Sequence, residues 1–205
     1  MKANLFAVIL ILFTSTSMAA AATPYAPYYP GGHRGMQPQA EAGTPAAILK
    51  EGITKLTTFI QSGKAKNPAQ AKNYLKQEIA PYFDFAYMTR WAAGPAWSRM
   101  DSKQRAAMQA QLTRAFLTTL AQKLTSYTNQ PIRYFTPRGR SGDEVTVSAW
   151  IMQPNGIPTK LDFRFYQSDS GWKVFDVKAA GTSAVVYYRR QFKDMYRYRS
   201  QARHY

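Results

Sequence analysis

The chain has 205 residues, with 27 lysines and arginines against 11 aspartates and glutamates, two histidines and no cysteine. That is one domain's worth of sequence, and 45% hydrophobic residues, 14% of the chain aromatic, can build a buried core despite a formal net charge of +16. Lack of cysteine excludes disulfides, thiol nucleophiles and zinc-thiolate sites. With only His33 and His204, both near chain ends, a histidine-dependent active site or metal centre is disfavoured too, and binding is left as the leading class of function.

Residues 1–22 read as a secretory signal peptide: Lys2 precedes an apolar run from Leu5 to Phe13, and small residues follow from Ser15 to Ala22, with cleavage expected within Ala19 to Ala22. The run is too short to cross a bilayer core of about 30 Å as a helix. No cysteine follows it to carry a lipid anchor, so the mature chain is expected to be exported and soluble. Cleavage removes one lysine and no acid, and an exported protein this basic points to an anionic lipid surface or an acidic protein ahead of nucleic acid. Simple basicity of an exported protein is the plainer explanation. Residues 23–43 hold four prolines, four glycines and three tyrosines without apolar periodicity, and read as a disordered arm.

The domain is expected over residues 44–196, opening at Thr44-Pro45 with an N-cap and a proline at the first helical position. Ile48, Leu49, Ile53, Leu56, Phe59 and Ile60 then recur at helical spacing until Gly63. Asn67-Pro68 repeats the start signal for a helix carrying Tyr74, Leu75 and Ile79 that must bend near Pro81. Asp84 can cap a short helix bearing Phe85, Met88 and Trp91, stopped by Gly94-Pro95. Asp101 and Gln104 form a capping-box pattern ahead of the longest amphipathic stretch, Met108, Leu112, Phe116, Leu120, Leu124 and Tyr127, closed by Pro131.

From Ile132 the period changes. Val145, Val147, Ala149 and Ile151 alternate with Thr146, Ser148, Trp150 and Met152; Asn155-Gly156 turns the chain; Leu161, Phe163 and Phe165 alternate with Asp162, Arg164 and Tyr166. After a turn at Asp169-Ser170-Gly171, Trp172, Val174 and Asp176 oppose Lys173, Phe175 and Val177. A last helical pattern, Val185, Tyr188, Phe192 and Met195, leads into a basic Tyr/Arg tail at 197–205. Helices followed by an antiparallel meander predict an α+β fold with helices on one face of a curved sheet.

Polar groups for chemistry are sparse. Asp84 and Asp101 sit where helix caps belong, and Asp162 and Asp176 alternate with core residues and should face away from them; all four read as structural. No Gly-rich phosphate loop, GxSxG elbow, HExxH or EF-hand pattern occurs. Large apolar side chains are in excess, and they either fill a core or line a cavity of about 300 to 1,000 Å³. Periodicity leaves both open.

The segments Pro81-Tyr82-Phe83-Asp84-Phe85-Ala86-Tyr87-Met88, Gly94-Pro95-Ala96-Trp97, Gln104-Arg105 and Leu161-Asp162-Phe163-Arg164-Phe165 come in a definite order. Gly171-Trp172-Lys173-Val174-Phe175-Asp176-Val177, Gly181-Thr182-Ser183 and Tyr188-Arg189-Arg190-Gln191-Phe192 complete the series. In order and spacing the set resembles the MlaC-type family of periplasmic phospholipid-binding, toluene-tolerance proteins, over residues 45 to 195. The resemblance implies a nuclear-transport-factor-like, cystatin-like curved sheet covered by helices, with an internal apolar cavity. It implies a soluble periplasmic carrier of the Mla pathway that maintains outer-membrane lipid asymmetry. Its partners would be phospholipid, an inner-membrane ABC transporter complex, an outer-membrane lipoprotein-porin complex and, transiently, a membrane, with no nucleic acid.

On that reading no catalytic residue, metal or cofactor is needed. Phe85, Met88, Trp97, Phe116, Leu120, Leu124, Trp150, Phe163 and Phe165 are expected to line or approach the acyl cavity. Arg164 and Lys173 are expected near a headgroup, with Arg189 and Arg190 on the basic surface of the segment from Tyr187 to Tyr205, which holds six cations and Asp194. Three other readings stand beside it: the same scaffold around a hopanoid-like ligand, a small hydrolase or isomerase using a carboxylate or tyrosine at the pocket base, and an exported interaction module with a solid core.

Overall fold

Local stop and start signals set the helices. In the computed structural model, which describes residues 41–201 apart from Ser126, Thr128 and Gly142, Thr44 caps helix α1 (Pro45–Gln61), its hydroxyl accepting from the Ala47 N–H at 3.3 Å. The signal peptide and all but the last three residues of the arm lie outside the described residues; Glu41 ends the arm in a turn, accepting from the Thr44 N–H. Gly63 turns the chain at φ +76° into a 3-10 turn, Lys64–Lys66. Asn67 then caps α2 (Pro68–Tyr74), accepting from Ala69 and Gln70. The bend near Pro81 is a π-turn, Leu75–Ile79, running into a 3-10 turn, Ala80–Tyr82.

Asp84 caps α3 (Phe85–Ala93), accepting from the Tyr87 N–H at 2.8 Å. A 3-10 turn, Gly94–Arg99, leads to the capping box of α4 (Ser102–Leu124), where Asp101 accepts from Gln104 at 2.7 Å and the Gln104 side chain accepts from the Asp101 N–H at 3.1 Å. Tyr127 was expected inside this helix and lies past its end. The Thr125 hydroxyl bonds the Gln122 carbonyl, the Tyr127 hydroxyl bonds the Gln130 carbonyl, and Asn129 adopts φ +63°, so the backbone leaves the helix before Pro131.

Among the described residues six antiparallel strands follow: β1 (Ile132–Tyr134), β2 (Arg138–Ser141), β3 (Glu144–Ile151), β4 (Thr159–Ser168), β5 (Gly171–Ala179) and β6 (Thr182–Ser183). β1 and β2 both pair with β3, from which the order runs through β4 and β5 to β6. Helix α5 (Ala184–Gln201) closes the fold, burying Val185, Tyr188 and Phe192; the Met195 side chain and residues 202–205 lie outside the described set, while the helical backbone takes in the first five residues of the basic tail. Among the described residues no helix is long and apolar enough to cross a membrane.

A bulge breaks the expected alternation of β5. Arg164 pairs with Asp176 while the adjacent Phe165 pairs with Val174, so Phe175 is an extra residue. Val174 and Val177 therefore share one face with Phe163 and Phe165. Phe175 and Asp176 turn to the other, where the Arg164 guanidinium lies 4.6 Å from the Phe175 ring. Helices consequently reach both sides of the sheet. On this second side Tyr87 of α3 stacks on Tyr166 at 4.1 Å, and α5 begins over Asp176. Asp176, expected to face away from core residues, is 1% exposed, accepting from the Ser183 hydroxyl at 2.7 Å and the Val185 N–H at 3.1 Å. It caps α5, and the hydrogen bonds offset the desolvation of its charge.

Asp84 is a second clamp. Besides capping α3 it accepts from the Tyr166 hydroxyl, and its own N–H donates to the Val174 carbonyl, tying helix to sheet. Burial and the adjacent Asp84 carboxylate push the Tyr166 phenol well above its usual pKa. Asp84→Ala should cost about 2–5 kcal/mol, the sum of a lost cap and a lost charge-assisted bond, read as a lower urea midpoint at unchanged slope.

Apolar packing divides in two. One cluster, filled by Leu75, Met88, Leu112, Phe175, Tyr188 and Phe192 among others, joins α2 to α5. The other is small, with Leu49, Val147, Ala149, Phe165 and Val174 buried between α1 and the sheet.

Candidate functional site

That second cluster is sparse because it surrounds a space. Helix α1 turns Ile48, Ile53, Leu56 and Ile60 toward the sheet at helical spacing, and α4 brings Phe116, Leu120 and Leu124 from the side. The floor is made by Ala149, Leu161, Phe163, Val174, Val177 and Ala179. Several of these are short or β-branched, so side chains from the two layers do not meet, and a chamber of about 310 Å³, partly open to solvent, remains. This is at the low end of ligand-pocket volumes.

Among the described residues the wall carries no carboxylate, and its one charged side chain is Lys123, on the last turn of α4. Desolvation lowers the Lys123 pKa below the usual lysine value. Thr57, Tyr82, Thr119, Tyr127, Thr182, Ser183, Tyr187 and Tyr188 supply the other polar side-chain atoms among the described residues. Among the described residues no cluster of three or more histidines and acids could hold a metal.

Of the nine residues expected at the cavity, Phe116, Leu120, Leu124, Phe163 and Phe165 line the chamber. Four do not, and each has a physical reason. Phe85 stands one layer behind, packed on Phe83 and Phe116 with 5.6 Å between ring centroids. Met88 faces the helical core and is fully buried there. Trp97, on the 3-10 turn after α3, lies under the Arg105 guanidinium at 5.0 Å while its carbonyl accepts from the same group. Trp150 has the opposite parity to Ala149 and Ile151, so it faces away, against Phe135 at 4.5 Å and Lys160 at 4.6 Å.

None of Arg164, Lys173, Arg189 or Arg190 reaches the chamber wall. Lys173 donates to the Pro81 carbonyl at 2.9 Å, and Arg189 donates to the Trp91 carbonyl. Arg164 pairs with Glu144 at 3.1 Å and approaches Asp176 at 3.8 Å. With Arg190, Lys178 and Asp162 it lines an open polar groove of about 730 Å³ on the other side of the sheet. Groove and chamber meet at Thr182, Ser183 and Tyr187, which belong to both.

Sequence reasoning missed the α1 stripe, Lys123 and the floor residues Ala149, Leu161, Val174, Val177 and Ala179. The α1 stripe was legible as a helix face, but nothing in its period says that it faces a void. Lys123 stands one turn from an apolar ladder, and only its place on the wall distinguishes it from a solvated lysine.

An α+β domain whose helices and sheet enclose an apolar chamber with one cation at its edge is a binding domain for an apolar or amphiphilic molecule. A family model described as MlaC protein matches residues 50–202, and the chain belongs to that family. The intermembrane phospholipid transport system binding protein MlaC of Haemophilus influenzae is 25% identical over 150 residues, which are 69% of this chain and 70% of that protein. Among solved structures, the phospholipid-binding protein from Ralstonia solanacearum, in complex with a phospholipid, matches with a TM-score of 0.69 at 27% identity, over 76% of this chain and 88% of that one.

Proposed function

We propose that this protein is a periplasmic phospholipid carrier, with acyl chains in the α1/α4/sheet chamber, that moves lipid between outer- and inner-membrane complexes of the Mla type. The observation that carries the reading is the apolar chamber itself, lined mainly by aliphatic and aromatic carbon. Family membership and the phospholipid bound to the Ralstonia protein support the ligand class. The leader pattern of residues 1–22 supports export.

Magnitudes suit a shuttle. Removing acyl CH₂ groups from water is worth about 0.8 kcal/mol each, so two chains of roughly sixteen carbons represent about 25 kcal/mol relative to water. A bilayer offers nearly the same apolar solvent, so exchange between membrane and chamber is close to balanced and needs no covalent step. Among the described residues the wall has no acid for acid-base work, and the Asp84–Tyr166 pair lies on the other side of the sheet, which favours a carrier over a hydrolase or isomerase. Phe116, Leu120, Leu124, Phe163 and Phe165 contact the chains, and Lys123 contacts the phosphate.

Solvent extraction and native mass spectrometry of protein purified from cells should return about one phospholipid per chain. Lys123→Gln should keep chain-length preference while losing preference for anionic lipid. Protein that is consistently free of lipid sinks the reading, and recovery of a polycyclic lipid instead reassigns the cargo.

A further inference from the structure

The carrier role makes no use of the outer surface of α3 and α5. There Trp91 is 40% exposed, and Val186 is 41% exposed. Packing links the two. The Trp91 and Phe175 centroids lie 6.2 Å apart, the Arg164 guanidinium sits over that same Phe175 ring, and Arg164 shares the groove with Val186 and Arg190. Arg189 donates to the Trp91 carbonyl and fastens α5 to α3 beside the exposed indole.

Charge on this surface is predominantly positive. Residues 85–100 and 184–193 contain Arg90, Arg99, Arg189, Arg190 and Lys193 and no acid, all five cations are exposed, and Asp194 follows as the one acid of α5. Carboxylates on the adjoining elements are already engaged: Asp176 with Ser183 and Val185, Asp84 with Tyr87 and Tyr166, Asp162 with Ser148, and Glu144 with Arg164.

From these observations we infer that the α3–α5 surface docks on an anionic lipid bilayer. An indole and a valine set among arginines match the layered chemistry of a headgroup zone, where amphipathic rings lie at the boundary and cations meet phosphates. An acidic protein is the competing occupant, and binding to acidic proteins in place of vesicles is the outcome that would reveal it. The inner side of the same α5 segment supplies Ala184, Tyr187 and Tyr188 to the chamber wall, so docking brings that end of the chamber against lipid. The inference does not depend on what the chamber holds.

Sedimentation of the full chain with vesicles tests it, using phosphatidylcholine alone and phosphatidylcholine mixed with phosphatidylglycerol. Binding should favour the mixed vesicles. Each basic residue near such a surface is worth roughly fivefold, so Arg190→Gln with Lys193→Gln should weaken partitioning about twentyfold, and Trp91→Ala should weaken it further. Lys64→Gln with Lys66→Gln makes the same charge change on the 3-10 turn after α1 and should leave partitioning within about twofold. All four cations are exposed, so both pairs should retain the wild-type circular dichroism. Equal loss from both pairs would reduce the effect to net charge and overturn the inference. So would a lack of preference for the anionic vesicles, or binding to acidic proteins but not to vesicles.

Discussion

Leu120→Arg should give a folded protein with an empty chamber. Leu120 lies midway along the chamber side of α4, between Phe116 and Leu124, and is partly rather than fully buried because its neighbour across the gap is open space. A guanidinium there must either occupy apolar space, at a desolvation cost of several kcal/mol, or turn toward the opening and block it. Either outcome displaces acyl chains, so phospholipid recovered per chain should fall at least about tenfold, as expected when cargo forfeits more than about 1.4 kcal/mol. Far-UV circular dichroism should be preserved, with unfolding free energy reduced by about 1–3 kcal/mol. Loss of the folded signal would show instead that α4 packs on a filled core at this point, and the carrier reading would lose its chamber.

Phe175→Ala should have the opposite profile. Phe175 is fully buried on the helical side of β5, touching the rings of Tyr87, Trp91 and Tyr166 and lying beneath Arg164. Truncating such a phenylalanine costs about 3–5 kcal/mol, a large part of the roughly 5–15 kcal/mol that holds a domain together. Urea unfolding should show the loss, with α3 loosening first because two of its rings, Tyr87 and Trp91, meet Phe175. Protein that remains folded at low temperature should still carry lipid, since Phe175 does not line the chamber. The two variants thus separate cargo from stability.

The helical half of the fold is legible because its signals are local. Thr44-Pro45, Asn67-Pro68, Asp84 and the Asp101/Gln104 box each satisfy orphan N–H groups within three residues, so their effect does not depend on tertiary context. Strands β3 to β5 show through their period of two, whereas β1, β2 and β6 are too short to repeat a pattern. The bulge at Phe175 leaves no local mark, since alternation read straight through it sends Val174 and Val177 to opposite faces.

The chamber is about half legible for a related reason. Phe116, Leu120 and Leu124 on one helix stripe, and Phe163 and Phe165 on one strand face, point the same way from spacing alone. Trp150 misleads because β3 carries apolar residues on both faces near its end, and size alone favoured the wrong one. Phe85, Met88 and Trp97 mislead because a large apolar side chain looks the same in sequence whether it packs solid or borders a void.

The small floor residues have one further consequence. Where the bottom of a binding space is set by methyl groups such as those of Ala149 and Ala179, each extra carbon grown from the floor shortens the room for a fatty tail by a similar amount. The sheet therefore works as a gauge. Related chains could be tuned to longer or shorter tails by single substitutions at these two alanines, with the helices, the opening and the outer surface left as they are.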